Sequence, residues 1–149
     1  MKFINKGAII AASAGFVFAT PVIAQDQYPM TGGDWVEVSA ISIDDGHALE
    51  YANHLAAQWR QGQDYAVAQG WISSYEVLVN VHPRDGEPDL YLITRFADFA
   101  DEAESERRGK MYREMMKKNI ATLQAESGGR AEFRKLMGTT LMQEMKWRK

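Results

Sequence analysis

An α+β fold, with one four-stranded antiparallel sheet and helices packed on one of its faces, follows from three features of this chain. Residues 34–43, 71–81, 89–96 and 139–147 carry strand-like runs rich in alternating, β-branched and aromatic side chains. Residues 47–69 and a long stretch from about Asp98 repeat their apolar or small residues at spacings of three and four, as helices do. Turn residues separate these segments, so the order reads strand, helix, strand, strand, helix, short helix, strand.

The first strand has two unlike faces: Val36, Val38 and Ala40 on one side, Trp35, Glu37, Ser39 and Ile41 on the other. Asp44-Asp45-Gly46 stops it and suits a helix start, where unpaired backbone N–H groups favour negative charge. In the helix that follows, Ala48, Ala52, Leu55, Trp59, Gly62 and Ala66 form a packed stripe, and Gly70 is placed to cap the end. The second strand puts Trp71, Ser73, Tyr75 and Val77 on one face and Ile72, Ser74, Glu76 and Leu78 on the other. Residues 82–88 are turn-rich, with two prolines that no sheet ladder accommodates, and the third strand lies near enough to form a hairpin with the second. Its Leu90, Leu92, Thr94 and Phe96 share a face opposite Tyr91, Ile93 and Arg95.

The second helix begins acidic, at Asp98, Asp101, Glu102, Glu104 and Glu106, and turns basic, at Arg107, Arg108, Lys110, Arg113, Lys117 and Lys118, matching its dipole at both ends. Ser127-Gly128-Gly129 is expected to break it, with a short helix over 130–137 stopped by Gly138 and the last strand over 139–147. A β-α-β-β-α-β chain closes as a ferredoxin-like sandwich, leaving one sheet face that the chain does not cover. That face is then wet, holds a ligand, or meets another subunit. Residues 34–149 make one domain, and the polar, turn-rich 25–33 reads as a flexible lead into it.

The amino end predicts export. Lys2 and Lys6 precede an uncharged apolar run from Ala8 to Ala19, and Val22 and Ala24 are the small residues a signal peptidase reads. The run is too short for a membrane span, which needs about 20 residues. A signal peptide over 1–24 places the mature protein in a periplasm or outside the cell, without a membrane partner once cleaved. Cleavage takes the 17 Lys and Arg to 15 against 20 Asp and Glu. This acidic balance, without a long basic run, argues against nucleic acid as a partner. The chain has no Cys, which excludes a lipidated anchor, disulfides, thiolate metal sites and a Cys nucleophile.

The succession DWVEVSAISIDDGHALEY, HLAAQW, GWISSYEVL, PDLYLITRF and EFRKLMGTTLMQEMKW resembles exported members of the dimeric α/β-barrel superfamily. The resemblance covers nearly all of 34–147 and rests on element order and hydrophobic pattern. It implies a homodimer in which two sheets pair through their open faces, and a cavity between sheet and helices. Families of this architecture include cofactor-independent monooxygenases, haem-degrading enzymes and chlorite dismutase-like proteins, so the architecture alone does not fix a reaction.

The candidate site residues follow from chemistry. Arg95 needs a carboxylate, and Glu37, Glu76 and Glu144 are the sheet acids that could meet it; an ion pair is the plainer use, an anchor for an oxygenated ligand the functional one. His47, Tyr51 and His54 share a helix stripe, but the histidines stand seven residues apart, about 10 Å at 1.5 Å per residue, too far to chelate one metal. No metal is expected and no cofactor, haem being the one the resemblance admits. His54 is the candidate catalytic group, a general base if its pKa stays near neutral, and His82 stands in an exposed turn. Trp59, Tyr75, Tyr91 and Arg95 are the candidate ligand-binding residues. Met111, Met115, Met116, Met137, Met142 and Met145 read as core filling before they read as a binding surface. Nucleophile elbow, phosphate loop, dinucleotide fingerprint and H-E-x-x-H are all missing. The expectation is an exported homodimer binding a small, partly apolar molecule between sheet and helix. The alternatives are a monooxygenase-like or haem-related enzyme, and an interaction module without a ligand.

Overall fold

A computed structural model describes residues 28–149; the expected signal peptide over 1–24 and the first residues of the expected lead lie outside the described residues. Four antiparallel strands form one sheet in the order β2-β3-β1-β4. Strand β1 (Met30–Ile43) is central, pairing with β3 (Leu90–Phe96) on one side and with β4 (Arg134–Trp147) on the other. Strand β2 (Ser74–Val79) closes the far edge against β3. The helices are α1 (Ala48–His54), continued through a π turn (Leu55–Trp59) into α2 (Arg60–Ala68), then α3 (Glu102–Met116) and α4 (Ile120–Arg130). Among the described residues no helix is long and apolar enough to cross a membrane.

The alternation of β1 decides which face is covered. Ile41 lies opposite Leu90, and both join Tyr51 and Leu55 of the first helix in the buried cluster, against which Ile43, Leu92, Trp59 and Phe133 pack. The face carrying Trp35, Glu37, Ser39 and Ile41, with Leu90, Leu92, Thr94 and Phe96, is therefore the helix face. Val36, Val38, Tyr91, Ile93 and Arg95 point away from it. On this outer face Val36 and Ile93 are still buried by their neighbours, while Leu78 and Met142 stay about half exposed.

Several boundaries differ from those expected. Strand β1 starts at Met30 rather than Asp34, because β4 is long enough to pair with Met30, Thr31 and Gly32. The register shift between Gly32 and Trp35 is absorbed by Gly32 and Gly33, where a Cβ would stand 2.6 Å from Gln143 and 2.7 Å from Lys146. The 71–81 strand shortens to 74–79. Gly70 does take the left-handed conformation (φ 69°) as the α2 helix ends.

The C-terminal third departs most. The long helix breaks at Lys117, not at 127–129. Lys117 adopts φ 54°, and Asn119 restarts the chain as the cap of α4, its side chain accepting from the Thr122 N–H at 2.8 Å. Gly128 and Gly129 fall in the last turn of α4, where the chain is about to leave the helix in any case. Residues 134–137, expected to be helical, are in β4 because Ile41, Ser42 and Ile43 offer this stretch a paired edge, with an irregularity at Met137, between Leu136 and Gly138.

Lys117 is the single described non-glycine residue with positive φ, a conformation that costs an L-residue roughly 1 kcal/mol or more. Replacing Lys117 with Gly is expected to stabilise the fold by about 0.5–1 kcal/mol, read as a rise in the urea unfolding midpoint with an unchanged slope.

Candidate functional site

A cleft of roughly 460 Å³ opens between the helix face of the sheet and α2 and α3. Its sheet side is Glu37 and Thr94, direct partners across β1 and β3. The helix side follows from spacing: Trp59, Gly62, Gln63 and Ala66 stand at i, i+3, i+4 and i+7 and turn one stripe inward. A π turn holds one residue more than an α turn, so it re-phases the helix between Leu55, in the core, and Trp59, at the cleft. From the far side α3 contributes Arg108, Gly109 and Tyr112, and the α2–β2 connection contributes Trp71 and Ile72.

Gly62 sets the width. Gly62 is buried, and a Cβ there would stand 3.0 Å from the Tyr112 ring, so the helices approach through a residue without a side chain. A Cβ at Gly109 would stand 3.1 Å from the Arg113 guanidinium. The aromatic walls are fixed by edge contacts: Trp59 meets Tyr75 at 5.3 Å and Trp71 meets Tyr65 at 5.4 Å, each nearly perpendicular. The Arg108 guanidinium lies 5.5 Å from the Trp71 ring centre and donates to Glu104 at 2.7 Å. Glu104 also accepts from Arg107 at 2.6 and 2.7 Å, and these hydrogen bonds hold its carboxyl at about 2, far below the ordinary 4.5. Glu104 thus tethers Arg108 at the cleft wall.

The sequence candidates divide among three places. Trp59 lines the cleft, and Tyr75 meets it edge-on over an adjoining apolar groove formed by Ala52, Leu55, Ala56 and Val77. The Tyr75 hydroxyl donates to Asp64, which raises its pKa. Tyr91 and Arg95 lie on the opposite face, so the single pocket expected to gather all of them does not form within the chain. The reason is register: Leu90, Leu92 and Thr94 take the helix side. Arg95 donates to Glu76 at 2.8 Å, both side chains about two-fifths exposed, so the two form an ion pair. His54 stacks on Tyr51 at 5.8 Å, beside α4, and burial followed by the charges of Arg130 and Arg134 lowers its pKa. It keeps its imidazole neutral near pH 7 but does not face the cleft.

Thr94, Arg108 and Tyr112 were not named as site residues from sequence, and Glu37 was named only as a possible partner of Arg95, from which it lies on the opposite face. The signal present was the pairing of Gly62 with a packed helix stripe, which announces close approach by another element without naming it. Among the described residues no group of three or more His, Asp or Glu could hold a metal ion. The cleft is lined by no His.

The fold and cleft define an α+β protein with a walled, mixed aromatic and polar recess between sheet and helices. No protein-family model matches the chain, and comparison with curated proteins and with solved structures finds no match.

The low pKa of Glu104 makes its contribution pH-dependent. A carboxyl depressed in the fold stabilises it above its ordinary pKa, and that stability is lost as pH falls toward the folded value. Glu104→Gln should therefore unfold at a lower temperature than wild type at pH 7, the gap narrowing between pH 4.5 and about 2. A gap unchanged across that range would show that the carboxylate is not what Arg107 and Arg108 hold.

Proposed function

We propose that the chain is an exported homodimer of the ferredoxin-like, dimeric α/β-barrel type that binds a small, partly apolar molecule in the cleft between the sheet and helices α2 and α3. The observation that carries the reading is the cleft's division of labour. Trp59, Trp71 and Tyr112 offer apolar walls, while Glu37 and Thr94 place a carboxylate and a hydroxyl side by side on the sheet. Small-molecule pockets have this make-up, a mostly apolar lining with a few convergent polar groups. Strand order β2-β3-β1-β4, with one helical stretch between β1 and β2 and another between β3 and β4, supports the ferredoxin-like part.

The dimer rests on exposed apolar surface along the sheet. Leu78 and Met142 stand about half exposed on the outer face, and β4 is an unpaired edge whose Leu141, Met145 and Trp147 are also exposed. A long edge strand with such side chains templates pairing unless it is covered. The surface that calls for a partner is thus the outer face and β4. Trp71 and Tyr75 belong to the helix side.

Two experiments test the reading. Native mass spectrometry of protein from its own host should show a retained small molecule, and Trp59→Ala and Glu37→Gln should each lower its occupancy about tenfold or more while the circular dichroism is unchanged. Full occupancy in both folded variants would remove the cleft as the site. Light scattering at micromolar concentration should give the dimer mass, and Leu141→Asp with Met142→Lys should give the monomer. A clean wild-type monomer would remove the dimer.

A further inference from the structure

We propose that Arg130 and Arg134, standing beside the Tyr51–His54 pair where α4 ends and β4 begins, form a binding site for a dianionic oxyanion such as phosphate or a phosphate monoester. Arg130 is the last residue of α4 and Arg134 the first of β4, where it pairs with Ile43. The three residues between them keep tight turns, Ala131 N–H donating to Gly128 at 2.9 Å and Phe133 N–H to Arg130 at 3.3 Å. Phe133 packs against the core cluster, with its ring 6.4 Å from Tyr51 and 5.7 Å from His47. That anchor carries both arginines to the side of α1 where Tyr51 and His54 stack.

Several other cations of the described residues have an acid in reach: Arg95 has Glu76, Arg107 and Arg108 share Glu104, and Lys118 has Glu126. None of the ion pairs among the described residues uses Arg130 or Arg134. The Nε atom of each is buried and donates no hydrogen bond. A guanidinium that merely reaches into water leaves its Nε wet; a dry and unpaired Nε–H loses its hydration without compensation. Glu126, the nearby acid, is engaged by Lys118 at 2.6 Å and by Gln58 at 2.6 Å. Among the charges that act on His54, three are cations, Arg130, Arg134 and Lys118, and one is an acid, Glu126. An oxyanion of charge about −2 supplies both the missing charge and the acceptors for two forked guanidinium groups. This site is separate from the aromatic cleft and does not rest on it.

The test uses the full chain and inorganic phosphate. With 10 mM phosphate the thermal midpoint should rise about 4 °C above that in sodium chloride of equal ionic strength, for millimolar affinity. Arg130→Gln and Arg134→Gln should each lose that phosphate-specific rise. In wild type, the Nε–Hε resonances of both arginines should shift on phosphate titration, which decides the matter even where a variant folds poorly. Equal midpoints in phosphate and chloride, unmoved Nε–Hε resonances, or a rise that survives in the folded double variant would each overturn the proposal.

Discussion

The two-faced alternation of β1 is the constraint on which the rest of the structure depends. Because side chains alternate with period two, pairing this strand with both β3 and β4 commits every neighbour to one face or the other. Ile41 and Ile43 go to the helices, and with them go Glu37 and, through its cross-strand partner, Thr94. The polar pair in the cleft is therefore a consequence of the same register that builds the core. A one-residue slip would send Glu37 to the outer face and Val36 and Val38 under the helices, destroying core and cleft together.

The small size of the buried cluster makes the helix packing equally consequential. Ile41 and Tyr51 are each only 2% exposed, and they tie β1 to α1 at one end of the sheet. Toward the other end, the π turn and Gly62 bring Trp59 and α2 against α3 without filling the space between them. The core thus closes around Tyr51 and Leu55 and opens around Trp59, within one continuous helical stretch. An exposed apolar groove at Ala52, Ala56 and Val77 continues from the cleft beneath the same helix.

What was legible in the sequence is what depends on local period and on chemical complementarity. The faces of β1 and β3 were correctly partitioned, and Glu76 was among the three acids named for Arg95. What was not legible depended on tertiary pairing. Residues 134–137 look helical by themselves and become strand because β1 extends alongside them. Lys117 carries no sequence mark of a helix end, since the residue that commonly takes a left-handed conformation is Gly, whereas Gly128 and Gly129 carry that mark and lie within the final helical turn. The cleft was only half legible for the same reason: Trp59 belongs to a helix stripe, but Arg108 and Tyr112 reach it from an element whose packing no local pattern specifies.

The contrast among the arginines shows how burial, rather than count of charges, separates structural from unexplained cations. Arg95 is about two-fifths exposed and meets Glu76, an arrangement that in water-rich surroundings contributes little beyond holding two side chains in place. Arg108 is drawn onto Trp71 and fixed by Glu104, so its charge is answered before it reaches the cleft. Arg130 and Arg134 are neither wet at Nε nor answered by an acid, and they stand on the element boundary that Phe133 pins to the core. Moving them outward into solvent would drag Phe133 from its contacts with His47 and Tyr51. The core therefore holds two positive groups partly dry, and an anion is the simplest complement to that arrangement.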